Sequence, residues 1–213
     1  MAVWNGGPGV PLKRMAVFAV VGGVSGSAGA LLSLALPDPS KLLTPIKNFP
    51  GAVFFVPGTA IAFPGIVFGL IFASIFWYRG ALRVRAAAAF AAASAIGNCI
   101  AISTALALHD VRSGAISGQV YSGDQLLPDW ACCAIAGFEG GLLLGAVAMA
   151  LLHGTARAVL GLAITGMGLG VPFGVASDFT VDFALWQAGY AAVLSLYIPA
   201  RSLRPAACGG RGR

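Results

Sequence analysis

Charge is what this sequence has least of. Only 9% of its 213 residues are Asp, Glu, Lys or Arg, against about 25% in a water-soluble domain. So few ionic groups cannot cover a surface for water. A soluble enzyme, a soluble nucleic-acid-binding domain and a disordered chain are therefore excluded. Histidine occurs twice and glutamate once. His109 and His153 fall at the ends of different apolar stretches, on opposite faces once those stretches alternate across a membrane. That arrangement offers neither a bis-histidine haem site nor a His/carboxylate metal cluster. Cys99, Cys132, Cys133 and Cys208 show no C-x-x-C or zinc spacing. No metal site and no cofactor is legible.

What is present in excess is apolar length: 58% hydrophobic residues and a mean hydropathy of +0.88. A helix needs about 20 mainly apolar residues to cross the hydrocarbon core. Six stretches qualify: Met15–Leu36, Gly51–Tyr78, Ala86–Leu108, Trp130–Leu152, Ala156–Ala176 and Phe183–Ala200. They are apolar on every face, unlike the alternating segments of a membrane β-barrel. The expected fold is an all-α, polytopic integral membrane protein: one domain of six transmembrane helices, residues 1–213. Its last residues, 201–213, form a basic tail. The second stretch carries Pro57 and Pro64, and is expected to cross once as a kinked helix rather than fold back as two half-helices.

Alternating the six stretches from an inner N-terminus sorts the charges. Lys13, Arg14, Arg79, Arg83, Arg85, Arg157, Arg201, Arg204, Arg211 and Arg213 then lie inside, whereas Lys41, Lys47 and Arg112 lie outside. This is a positive-inside distribution with both termini cytoplasmic. It suits a multi-pass protein of a bacterial-type inner membrane or an organellar equivalent. Lys13-Arg14 followed by an apolar run and Ala28-Gly29-Ala30 has the outline of a cleavable signal, but the run continues through Leu36, so the first helix is expected to stay. The net charge of +6 is topological; the expected partner of the inner face is anionic lipid headgroups, with no nucleic acid. Trp77, Tyr78, Trp130, Trp186 and Tyr197 fall near span ends and are expected in the aromatic belts.

Glycine makes up 30 residues, and it recurs at four-residue spacing. Gly22–Gly26, Gly65–Gly69, Gly137–Gly141–Gly145 and Gly166–Gly170–Gly174 each put small residues on one helix face. Such faces let backbones approach where lipid offers no hydrophobic drive between helices. A tight, glycine-rich bundle is expected. Pro57 and Pro64 in the second stretch and Pro172 in the fifth are candidate hinges. Interrupted helices in corresponding positions of two halves point to a transporter's site.

One ionisable residue lies away from the ends of all six stretches: Glu139, about 13 Å below Trp130 at 1.5 Å per residue. A charged carboxylate at that depth costs at least about 2.5 kcal/mol. It must be neutral, paired or hydrated, and no Lys or Arg of this chain lies at its level. Depth counting places Asn98, Thr59, Thr165 and Ser25 near the same plane. A polar ring of Ser25, Thr59, Asn98, Glu139 and Thr165 is the candidate substrate or ion site. The competing expectation is a single interhelical hydrogen bond between Glu139 and Asn98.

Gly23-Val24-Ser25-Gly26 resembles the G-x-S-G nucleophile motif of rhomboid proteases, which also have six spans. In that family the serine is on the fourth span and a histidine on the sixth completes a dyad. Here the motif is on the first and the sixth has no histidine, so no catalytic set is assembled. An intramembrane enzyme is the weakest reading. The sequence favours a small transport or channel-type protein built around Glu139 and Asn98. The alternative is an accessory or assembly subunit whose glycine faces dock on partner membrane subunits or on a second copy.

Overall fold

The structure is a computed structural model that describes residues 9–35, 59–113, 127–152, 155–173 and 178–197. Regular structure among these residues is entirely helical: α1 (Gly9–Ala35), α2 (Thr59–Tyr78), α3 (Val84–Ser113), α4 (Asp129–Leu152), α5 (Ala156–Phe173) and α6 (Phe179–Tyr197). Three of them contain runs long and apolar enough to cross a membrane, Leu12–Ala35, Val84–Ala105 and Asp129–Leu152. Shorter apolar runs occupy Phe63–Tyr78 in α2 and Ala156–Pro172 in α5. The chain is a helical, membrane-embedded protein.

Each helix falls on one of the six apolar stretches, with shifted ends. α1 begins before Met15, α3 runs past Leu108, and α6 starts at Phe179 rather than Phe183. The physical reason is visible at α6. The Asp178 carboxylate accepts hydrogen bonds from the backbone N–H of Thr180 (2.9 Å) and Val181 (3.2 Å), an N-cap that starts the helix ahead of its apolar run. Hydropathy counts side chains, whereas helices begin where the backbone is capped. α2 continues through Pro64 without a break. Pro57 and the other residues before 59, like Gly174, lie outside the described residues.

A tight turn joins α2 to α3. Gly80 adopts φ +72°, a conformation that a Cβ disfavours. Its N–H donates to the Trp77 carbonyl (2.9 Å), and those of Ala81 and Leu82 donate to Phe76 (2.8 and 3.2 Å). These bonds satisfy carbonyls that the end of α2 leaves open. Leu82 then inserts into the core.

Each helix packs against its neighbours in sequence, and α6 packs on α1, so the six close into a ring. Neighbours are antiparallel. Phe18 of α1 meets Phe72 and Phe76 of α2, while Gly29, eleven residues further along α1, lies against Pro64. The same reversal holds for Gly22 and Gly26 against Gln187 and Phe183, and for Gly65 and Gly69 against Ala95 and Ala91. This topology collects Lys13, Arg14, Arg79, Arg83, Arg85 and Arg157 at one end of the ring. Asp129, Asp178 and Asp182 lie at the other. At the basic end the Arg14 guanidinium donates to the Ser195 carbonyl, joining α1 to the last turn of α6, where a cation complements the helix dipole.

Glycines form the seams. A Cβ on Gly22 or Gly26 would collide with α6 carbonyls, and one on Gly69 would lie 2.8 Å from the Ala91 oxygen. On α4, Gly137, Gly141 and Gly145 face Gly166, Leu162 and Val159 of α5, with Gly137 and Gly166 in mutual backbone contact. Lipid tails are as apolar as leucine, so such close van der Waals approach supplies much of what holds membrane helices together. Between the seams lies an aromatic core. Phe68, Phe72 and Phe76 form an i, i+4, i+8 ladder on α2 with centroid spacings of 4.5 and 6.0 Å, and Phe90 meets Phe76 edge-on at 5.4 Å. Leu144, Leu152, Leu162 and Leu194 join this core, whereas many other aliphatic side chains point outward: Val17, Val20 and Val24, Leu70, Ile96, Leu142, Leu160, Ile164 and Leu185 are all exposed. Apolar groups turned outward around buried polar ones are the arrangement lipid requires.

Gly137→Ala is expected to destabilise the protein by about 1–3 kcal/mol or more, because the α4–α5 backbones must separate. Gly168→Ala, which meets nothing within 4 Å, is expected to be neutral or stabilising by up to about 1 kcal/mol. Thermal unfolding of both variants in one detergent checks the pair.

Candidate functional site

Gln187 is the polar centre of the bundle. It lies midway along α6 and is 4% exposed. Its side-chain amide donates from Nε2 to the Pro64 carbonyl of α2 (2.7 Å) and accepts at Oε1 from the Ser25 hydroxyl of α1 (2.7 Å). The Pro64 carbonyl can only accept, so the amide nitrogen must face it and the oxygen must face Ser25. Ser25 also lies 2.7 Å from the Gly22 carbonyl of its own helix, so one hydroxyl proton serves two acceptors. Three helices are thereby joined through one side chain beside the α2 proline.

Tyr190, one turn further along α6, makes a second link. Its hydroxyl donates to the Gly137 carbonyl of α4 (2.7 Å). That oxygen is reachable because Gly166 has no side chain there; a Cβ on Gly166 would collide with the tyrosine oxygen. The tyrosine ring stacks obliquely on Trp186 (5.4 Å), which in turn meets Phe183 (5.7 Å).

A cavity of about 40 Å³ lies between α2, α3, α4 and α6. Asn98 and Ser94 of α3, Gly140 of α4, and Trp186, Gln187 and Tyr190 of α6 line it. Glycine makes the space: a Cβ on Gly97 would meet only the Leu143 side chain, at 3.7 Å. At about 10–15 Å³ per probe-sized site, the void holds about three water molecules. None of its lining side chains carries a formal charge.

The five residues of the expected polar ring separate here. Ser25 is buried and bound to Gln187. Asn98 packs against Gly65 and lines the cavity. Thr165 donates back to the Gly161 carbonyl of its own helix (2.7 Å) and turns its methyl toward Gly189 of α6. The side chain of Thr59 lies outside the described residues. Glu139 is absent from the cavity lining. It sits one turn before Leu143, on the flank of α4 that faces α3, partly exposed beside the outward-facing Phe138 and Leu142. Its Oε2 is buried without a hydrogen-bond partner among the described residues. Of the candidate hinges, Pro64 is buried and bound by Gln187, whereas Pro172 is exposed at the end of α5.

Sequence reasoning passed over Gln187 and Tyr190 and assigned Trp186 to an aromatic belt. Trp77, Tyr78 and Trp130 are indeed exposed, but Trp186 is buried against the cavity. A signal was available. Gln187 and Asn98 are the only amide side chains in the six apolar stretches, and Gln187 stands three residues before Tyr190. Among the described residues, no group of three or more His, Cys, Asp or Glu is placed to hold a metal ion.

Gln187→Leu is expected to lower stability by about 1 kcal/mol, the scale of an interhelical hydrogen bond in a membrane protein. Ser25→Ala in that background should add little, since Ser25 then keeps only its Gly22 contact. A double-mutant cycle by thermal unfolding measures this coupling.

The chain matches no family model, and no curated protein or solved structure shows significant similarity to it.

Proposed function

We propose that this chain is a small multi-pass membrane protein of the transport or channel class, with six spans and both termini on the cytoplasmic side. Its site is the cavity at Asn98, Gln187 and Tyr190. The observation that carries this reading is that cavity: an uncharged, amide- and aromatic-lined void beside the proline of α2. Antiparallel packing around the closed ring and the collection of basic residues at one end support the six-span topology and its orientation. The size of the void favours a solute no larger than a few waters. Pro64, tied to Gln187, is the hinge about which α2 moves to admit it. Glu139 supplies a titratable group on the adjacent flank of α4, for coupling to protons or cations.

A second reading is favoured by Glu139 itself. A partly exposed midspan carboxyl with one oxygen unpartnered suits an accessory subunit whose partner chain supplies a donor. The glycine faces argue against docking through them, because Gly22, Gly26, Gly65, Gly69, Gly137, Gly141, Gly145, Gly166 and Gly170 all meet helices of this same chain.

Proteoliposomes carrying an internal pH dye, challenged with a proton gradient or with ammonium, test the first reading. Flux above that of empty liposomes is expected. Asn98→Leu should reduce it at least about tenfold, and Glu139→Gln should remove its proton-coupled component. Flux indistinguishable from empty liposomes for protons, ammonium and osmotic water would sink the proposal. Stoichiometric co-purification of another membrane chain, lost in Glu139→Leu, would favour the second reading.

A further inference from the structure

We infer that Asp182 is a proton-binding site between the acidic end of the ring and the cavity. Protonated, it closes the first turn of α6 against water; ionised, it opens that turn. Asp182 stands just ahead of the apolar run of α6, yet it is only 6% exposed. No described residue hydrogen-bonds its carboxyl. Residues four apart on a helix share a face, and Asp182, Trp186 and Tyr190 form one buried row on α6. Trp186 and Tyr190 line the cavity. At 1.5 Å per residue, Asp182 lies about 6 Å beyond Trp186 along the helix axis.

The charges around it are acidic. The described Lys and Arg side chains, Lys13, Arg14, Arg79, Arg83, Arg85 and Arg157, lie at the other end of the ring. α1 and α5 pack against α6 and bring no described titratable side chain to its first turn. From α4, Cys133 lies within electrostatic reach of Asp182, with Asp129 one turn earlier on that helix. Glu139, also of α4, lies on the flank toward α3. Asp178 stands one turn before Asp182 in its own segment. Burial, and then the like charge of Asp178, push the Asp182 carboxyl above the usual carboxylate range. An ionised carboxylate without a donor costs far more to bury than a neutral one. Ionisation therefore requires water at the first turn of α6, and Trp186 is the next side chain of the row that such water meets. Acid favours the dry arrangement and rising pH the hydrated one. The inference deepens the transport reading by assigning the regulation of its cavity, and its consequence for flux rests on that reading.

Trp186 fluorescence reads that water without any need for transport. In a W4F/W77F/W130F background of the full chain in non-ionic detergent, Trp186 is the sole tryptophan. Its quenching by acrylamide, a neutral solute, is expected to rise between about pH 5 and about pH 8. Asp182→Asn, an uncharged isostere of the protonated acid, should lose the rise and stay at the low-pH level. Should that variant fold poorly, Asp178→Asn decides instead. It keeps an N-cap but removes the like charge, so the midpoint should fall to lower pH. Quenching independent of pH, an equal rise in Asp182→Asn or an unmoved midpoint in Asp178→Asn would overturn the inference. So would loss of the rise in Glu139→Gln, which would move the site to α4. In proteoliposomes, flux should rise over the same interval and lose that dependence in Asp182→Asn. Flux absent from every variant, with the quenching response intact, supports the proton site and sinks the transport reading alone.

Discussion

Backbone contact between Gly137 and Gly166 sets the distance between α4 and α5, and much of the bundle's interior follows from it. With no side chain on either glycine, the helices approach until backbone meets backbone, and dispersion between many close atoms substitutes for the hydrophobic drive that lipid does not provide. The same crossing leaves the Gly137 carbonyl within reach of the Tyr190 hydroxyl. Packing and polar linkage are thus one feature: the glycine that closes the α4–α5 seam also admits the hydrogen bond that ties α6 to it.

Gln187 plays the corresponding part on the other side of the ring. An amide side chain carries both a donor and an acceptor, so it can link two helices that offer unlike groups, here a backbone carbonyl and a hydroxyl. Its acceptor lies on the proline-containing helix α2. Any movement of α2 about Pro64 must therefore break or carry with it the bond to α6. The polar groups at the bundle's centre are cross-linked, and a small cavity whose lining carries no formal charge lies where α2, α3, α4 and α6 meet.

Much of the fold was legible in composition. Charge scarcity, run lengths and the absence of alternation gave helices in lipid, and each of the six apolar stretches holds one of the described helices. Helix ends were less legible, because caps such as Asp178 are backbone events that hydropathy does not record. The site was legible only in part. Depth along a helix follows from rise per residue, so Ser25, Asn98 and Glu139 were placed near one level. Rotation about each helix axis was not available, since these helices are apolar on every face and carry almost no amphipathic signal to show which side turns inward.

That difference separates what each level decided. The sequence by itself determined the solvent, the helical class, the stretches from which helices form, and the sorting of charge along the chain, because these depend on summed side-chain transfer energies and on order. Only the tertiary structure decided which faces meet. It turned Asn98 into the cavity and Glu139 to the flank of α4, buried Trp186, and made Gln187 the link between three helices. Those outcomes depend on ångström-scale contact between backbones, where one absent Cβ fixes a helix's rotation and so selects which of its neighbours face the interior.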